Sequence, residues 1–461
     1  MEPSNQAATA SPFPRAAGEN SATEVRLLTE NGDLQLAASG YLRRAEMTPH
    51  SQEPVLHYVK NGEEAIGNTV RVEQQWAAQA MELGRRKVCV LSIDGGGMRG
   101  IIPAKVLCYL EDWLRARSGN SDARVADYFD VVAGTSVGGL IAVMLCGDDG
   151  HGRPLFSARQ ALEMITERGR HIFKVPLLRC PISAFRGIFT PRYSVKHMEE
   201  LLKEHLVRED RRELTLKDTL KSLVIPCYDL ARGRPHVFTR QDANISESRN
   251  YRLIDICRAT SAVPGFFRPA IFSSVDGVTN LIGIDGGLVM NNPATAAITH
   301  VFHNEDEFSH VRTVDDLLVL SLGTGLFDRV YTPPKVKRWG AVQWAKPVAK
   351  IVLDGISDMV DHSMSMAFAK NRANYLRIQV SGLPGRFLTQ MDDASSSNVN
   401  HLCKIADDML DLPCFEYVPF FGRQQLDVSN RDRLHSFVDQ LLAEHQSRLK
   451  STELLTAGPE L

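Results

Sequence analysis

Residues 128–145, YFDVVAGTSVGGLIAVML, constrain this chain more than any other stretch. Tyr128, Phe129, Val131 and Val132 have the aromatic and β-branched character of a central strand, and Leu140 to Leu145 continue as a helix-compatible apolar run. Between them Gly134-Thr135-Ser136-Val137-Gly138 fits G-x-S-x-G. A strand passing into a helix through so short a turn must bend sharply. Small residues on either side make that bend sterically possible while the serine oxygen stands clear of the backbone. The following helix aims its first amides at negative charge developing on that oxygen. Five residues alone also fit an ordinary strand-to-helix loop; the strand, turn and helix together favour chemistry at Ser136.

Two further stretches have the same form. Lys87 to Asp94, KVCVLSID, reads as a strand covered on both faces and runs into Gly95-Gly96-Gly97-Met98-Arg99-Gly100, after which Ile101 to Leu114 carries apolar residues at helical spacing. Glycines there let backbone amides converge on an anion. The loop matches G-x-G-x-x-G, yet no acidic residue closes a second strand at the offset a dinucleotide site needs. An oxyanion hole is the better use, with a plain tight turn as the bland alternative. In Leu281 to Phe302 a short strand ends at Asp285-Gly286-Gly287, followed by Asn292 as N-cap and Pro293 as first residue of a helix through Phe302. An aspartate freed by two glycines can reach a neighbouring loop, although aspartate is common in turns for structural reasons. Leu223–Tyr228, His236–Thr239 and Leu317–Gly325 read as further strands, the last closing the sheet, and Arg252–Ala262 as a helix.

All three turns fall at strand C-terminal ends, where open α/β sheets build their sites. With DGGGMRG at 94–100, GTSVGG at 134–139 and DGG at 285–287 in that order, the chain resembles the patatin-like acyl hydrolases, and plant patatin-like proteins in particular, over roughly Lys87 to Gly325. The resemblance implies a three-layer α/β fold: a central, mostly parallel sheet, helices on both faces and a helical C-terminal extension. It implies Ser136 as nucleophile, Asp285 as its only catalytic partner, and Gly95, Gly96, Gly97 and Arg99 as the oxyanion loop. Gly100, Gly134, Gly138, Gly286 and Gly287 complete the motifs. The implied activity is release of fatty acid from membrane phospholipids or galactolipids, without metal or cofactor. A weakly active or inactive lipid-binding or regulatory protein that keeps the fold is the alternative. His300, His303 and His310 follow Asp285, so chain order leaves a Ser-Asp-His triad open. On or just past a helix, however, a core or surface histidine is the default for His300 and His303.

Composition narrows the class. A formal net charge of -2 gives no electrostatic footprint for nucleic acid. Cys89, Cys108, Cys146, Cys180, Cys227, Cys257, Cys403 and Cys414 form no C-x-x-C and read as reduced thiols of an intracellular protein. No apolar run is long enough to span a membrane, and no secretory signal is recognisable. A cytoplasmic protein with peripheral membrane contact is expected; Ala/Ser content admits a plastid transit peptide, against which Glu2, Glu19 and Glu24 count. Residues 1–86 read as a disordered tail to about residue 25 and a helical leader with a helix over Val72–Leu83, residues 87–325 as the hydrolase domain, and 326–461 as mainly helical. Lys174–Tyr193 suits either a lid or a surface crossover. In Lys335–Val352, bases mixed with Trp339 and Trp344 suit docking on a lipid surface, or a solvated helix with inward tryptophans. Ala394–Asn400 reads as a polar loop and Leu426–Leu449 as a final amphipathic helix.

Overall fold

The structure, a computed structural model, describes the backbone of five strands within residues 27–64, and residues 86–457 apart from 174–190, 209–211, 327–335, 338, 382–390 and 419–420. In the first unit, Met1–Glu82, β1 (Leu27–Glu30), β2 (Asp33–Ala38), β3 (Tyr41–Glu46), β4 (Val55–Lys60) and β5 (Glu63–Glu64) pair antiparallel in sequence order. A tail and helical leader does not anticipate these strands, because charged residues such as Arg43, Arg44 and Glu46 interrupt their alternation. The expected tail over residues 1–25 and the helix over Val72–Leu83 lie outside the described residues, as does most of the expected lid.

The second unit, Leu83–Leu461, is built on apolar runs that need cover on both faces. β6 (Val88–Ile93) and β12 (Leu317–Leu322) are buried at every residue. Its sheet also holds β7 (Val131–Gly134), β8 (Ser222–Asp229), β9 (Arg234–Thr239), β10 (Ala270–Ser273), β11 (Asn280–Asp285) and β13 (Tyr375–Ile378). The order is β10-β11-β8-β7-β6-β12-β13, with β9 also on β8. From β8 to β13 the pairings are parallel; β9, β10 and β11 enter antiparallel. The sheet therefore does not close at β12: β13 extends it from within the C-terminal stretch expected to be helical.

Alternate residues of the central strands feed two separate apolar layers. Cys89, Leu91, Ile93, Val132, Leu318 and Leu320 face α1 (Ile101–Ser118), α2 (Val137–Cys146), α3 (Ala158–Ile172), α4 (Lys196–His205) and α5 (Leu253–Thr260). Val88, Val90, Val131, Ala133 and Val319 face α6 (Ala294–His303) and α7 (Ala341–Ala367). The first layer is completed by α8 (Ser396–Asp411) and α9 (Asn430–Ala457). The polar stretch at 394–400 proves to be the start of α8, where the Ser395 side chain accepts from the Asn398 amide as an N-cap. α9 begins later than expected because β15 (Gly422–Ser429) forms a hairpin with β14 (Pro413–Val418). Among the described residues, no helix is long and apolar enough to cross a membrane.

Candidate active site

Ser136 stands between β7 and α2 and is the one described non-glycine residue with positive φ, 55°. Such a conformation costs on the order of 1–3 kcal/mol and persists only where the surroundings impose it. Here they do. A Cβ on Gly134 would lie 2.2 Å from the Gly138 carbonyl oxygen, and one on Gly138 would lie 2.3 Å from that of Ile93. The two glycines of the motif thus allow the turn to fold back on itself and press against β6.

β8 brings the serine and Asp285 together. Ala133 of β7 pairs with Val224, and Asp285 of β11 pairs with Cys227, while β9 holds the opposite edge at both positions. β7 and β11 therefore share one edge of β8 and run toward each other, so that their C-terminal ends meet across Pro226. Asp285 stands at the C-terminal end of its strand like the other motifs, but that end is reached from the opposite direction. A proline suits the junction, since it has no amide to leave unpaired there. Gly286 passes so close that a Cβ would lie 2.2 Å from the Pro226 carbonyl oxygen.

Across this junction the Ser136 hydroxyl donates to Asp285 Oδ2 at 2.7 Å, and the Gly287 amide donates to Oδ1 at 2.6 Å. Both side chains are buried, Ser136 being 7% and Asp285 5% exposed. Burial pushes the Asp285 carboxyl up to about 6, against the pull of the hydrogen bonds from Ser136 and Gly287. Thr260, at the end of α5, ties the parts together. Its Oγ1 accepts from the Ser136 amide at 2.9 Å and donates to the Pro226 carbonyl at 2.7 Å, and its own carbonyl accepts from the Gly286 amide at 3.2 Å.

The glycine loop divides its labour. The Gly95 amide is taken by the Asn291 carbonyl at 3.1 Å, so it is not available as an oxyanion donor. Arg99 turns its guanidinium to the carbonyls of Thr324 and Gly325, at 3.2 and 2.8 Å, and braces the loop that follows β12. The amides of Gly96 and Gly97 have no acceptor among the described residues, and Gly97 has φ 58°. Gly100 lies against Val137, whose methyls a Cβ would meet at 2.7 Å, which locks this loop to the elbow. At the loop's base Asp94 is held bidentately by Arg377 at 2.9 and 2.6 Å, and Arg377 also faces Asp361 at 3.1 Å. Burial pushes the Asp94 carboxyl up to about 6 despite that guanidinium.

Among the described residues no histidine is hydrogen-bonded to Ser136 or Asp285; His205 lines the apolar cavity with Ser136, but its Nδ1 lies 2.9 Å from the Leu201 carbonyl. His300 Nε2 lies 3.0 Å from Ser222 Oγ at the start of β8, and His303 Nδ1 lies 2.8 Å from the carbonyl of Thr299. His310 lines a separate cavity with Lys87, Asp130 and Arg448. Nor do the described residues contain a group of three His, Cys, Asp or Glu able to hold a metal ion.

Ser136 sits where two cavities join. One is apolar, with Leu140, Phe173 and Phe266 beside five methionines, Met98, Met144, Met164, Met198 and Met391. Methionine has an unbranched, soft side chain that adapts to an irregular guest. The other is the more polar of the two, with Asp94, Asn291, Asp354 and Ser357 beside Asp285, among apolar residues such as Leu288 and Leu326. Thr260, Asn291 and Arg377 are not legible as site residues in the sequence: each acts through backbone groups or buried partners far along the chain, and none belongs to a short motif.

Comparison with known proteins gives the family to which the chain is similar. The family described as "Patatin-like phospholipase" matches residues 91–298. "Patatin-like protein 6" of Arabidopsis thaliana is 44% identical over 368 residues, covering 79% of this chain and 73% of the relative. "Patatin-like protein 7" of the same plant is 44% identical over 369 residues, covering 79% and 74%. "Probable inactive patatin-like protein 9", also from Arabidopsis thaliana, is 41% identical over 381 residues, covering 82% and 92%.

Proposed function

The chain belongs to the patatin-like phospholipase family, which supports lipid acyl hydrolase activity in general, and on that premise we propose that it releases fatty acids from membrane glycerolipids with Ser136 and Asp285 alone as nucleophile and base. The observation that carries this reading is the 2.7 Å hydrogen bond from a strained, buried serine to a carboxylate of raised pKa, at the mouth of an apolar cavity. An acyl chain laid in that cavity presents its ester carbonyl to Ser136 Oγ, while the head group and glycerol occupy the polar side.

As Oγ attacks the carbonyl carbon, its proton passes to Asp285 Oδ2 and the carbonyl oxygen becomes an oxyanion. The amides of Gly96 and Gly97 are the donors left to receive it, each such donor contributing roughly 100- to 1000-fold in rate. Collapse breaks the ester C–O bond, and the leaving alkoxide takes the proton from Asp285. Water then repeats the sequence on the acyl-serine, giving fatty acid and the free hydroxyl. Phospholipids and galactolipids both fit this scheme, met by a cytoplasmic protein in peripheral contact with the membrane.

A second reading has one observation in its favour, the relative named as probably inactive. It makes this chain a weakly active or inactive lipid-binding protein. Against it stands the intact pair, since a pure binder has no chemical need of a strained serine bonded to a buried carboxylate. Labelling with a fluorophosphonate probe, together with fatty-acid release from phospholipid and galactolipid vesicles, separates the two. Labelling and release that both vanish in Ser136→Ala support the hydrolase; a folded wild-type protein that does neither supports the binder.

A further inference from the structure

Helix α7 presents an apolar stripe to solvent. Trp344, Val348, Ile351, Val352, Met359 and Met366 are 40%, 47%, 46%, 47%, 65% and 49% exposed. At 3.6 residues per turn these positions, with Gly355 among them, fall within an arc of roughly 100°, and at 1.5 Å per residue they run for about 33 Å. No Asp, Glu, Lys or Arg of α7 falls inside that arc, where the one titratable side chain is the half-buried His362. The opposite face holds Ser357, Asp361 and Met364, all buried, as is Phe368 at the C-cap. A soluble helix ordinarily turns its apolar face inward and its charges outward; here both faces carry apolar side chains, and an exposed apolar patch of this extent marks an interaction surface.

We propose that this stripe is the face with which the protein lies on a lipid bilayer, in the plane of the interface. The proposal rests on the acyl-hydrolase reading for its substrate and on two observations for its occupant. First, Asp354 and Ser357 of the same helix line the polar cavity that holds Ser136 and Asp285, and the Asn291 side-chain amide donates to Ser357 Oγ at 3.0 Å. A helix is about 10 Å across, so a bilayer resting on the stripe lies about one helix diameter from the cavity wall. Two-chain glycerolipids exist in aggregates, and an enzyme acting on them has to rest on the aggregate while it works. Second, the N-terminal end of the stripe carries a perpendicular pair of indoles, Trp339 and Trp344, with ring centroids 4.9 Å apart, next to exposed Lys337. Tryptophan belongs at the head-group level of a bilayer, and aliphatic and methionine side chains at the acyl boundary below it. A stripe without charges also makes the attachment hydrophobic, so salt should not release it.

The test is flotation of the full chain with neutral phosphatidylcholine vesicles at low and high salt, comparing wild type with Val348→Asp/Met359→Asp and the milder Val348→Ser/Met359→Ser. Turnover on a water-soluble short-chain ester is measured alongside. We expect wild type to float at both salt concentrations, the aspartate variant to lose vesicle binding by about tenfold or more, and the serine variant to fall between. Hydrolysis of vesicle lipid should drop with binding while soluble-ester turnover stays within about twofold, an outcome a misfolded variant cannot give. Vesicle binding equal to wild type in both variants overturns the proposal, as does a wild-type dimer that the variants split while vesicle binding is unchanged. If no ester is hydrolysed but flotation still depends on the stripe, the hydrolase reading fails and the docking face stands.

Discussion

The backbone amide of Ser136 is held by the side chain of Thr260, 2.9 Å away and 124 positions further along the chain. Because the same hydroxyl donates to Pro226, one side chain fixes the elbow to the strand that also aligns Asp285. Thr260→Val keeps the shape and removes both hydrogen bonds, leaving a buried amide and a buried carbonyl unpaired at a cost of about 1–3 kcal/mol each. Thr260→Ser keeps them. The rate of fluorophosphonate labelling at Ser136 should fall roughly 10- to 100-fold in the valine variant and stay within about threefold in the serine variant. Equal rates in both would mean that the elbow holds its geometry without this bond.

Asp285→Asn should remove turnover nearly as completely as Ser136→Ala, by roughly 10⁴-fold. His300→Ala and His303→Ala should each leave most of it. The reason is position: His300 is bonded at Ser222, five residues before Cys227 on β8, or roughly 16 Å at 3.3 Å per residue. Turnover of the four variants on one phospholipid, with folding followed by circular dichroism, decides the matter. A dead His300→Ala or His303→Ala enzyme would restore the triad.

The raised pKa of Asp285 sets a pH profile. A carboxyl pushed up to about 6 is protonated below that pH and cannot accept the serine proton; above it the carboxylate is available and is a stronger base than an ordinary one near 3.9. The labelling rate should therefore rise with pH through about 6 and level off above. A profile that is flat across this range, or that falls, would be incompatible with Asp285 as the base.

Gly96→Ala would place a Cβ 2.5 Å from Thr324 Oγ1, the hydroxyl that donates to the Gly95 carbonyl. Relieving that overlap has to move the loop whose amides face the developing oxyanion. Turnover should drop by about 100-fold or more while the protein remains folded. Normal turnover in a folded variant would reduce the loop to a structural turn.

Arg377→Met leaves Asp94 and Asp361 buried without the guanidinium between them, and removing one partner of a buried ionic group costs about 3–5 kcal/mol. The melting temperature should fall accordingly, and adding Asp94→Asn should recover part of the loss. An unchanged melting temperature would show that water reaches the pair.

What the sequence discloses is what short-range pattern encodes. The β6 strand, the elbow at Ser136, the glycine loop and Asp285 are all apolar runs ended by glycines, and they are legible one at a time. The direction of β11 is not legible, because a strand reads the same whether its partner runs with or against it. Strand β13 escapes notice because YLRI carries Arg377 at its centre, and only Asp94 and Asp361 explain a part-buried arginine there. The serines before α8 resemble a loop until Ser395 is seen to cap a helix. Gly95 matches its motif, yet its amide is engaged by Asn291, a partner that sequence order does not reveal.

The meeting of β7 and β11 on one edge of β8 also bears on how the protein is made. Ser136 and Asp285 are 149 positions apart, and neither reaches the other until the intervening chain has been synthesised and both strands have docked. Closing so large a loop is slow compared with forming the local turn around the serine. A nascent chain emerging from the ribosome thus carries Ser136 before Asp285 exists. The proposed pair is assembled only after residue 285 has been made and both strands have docked on β8.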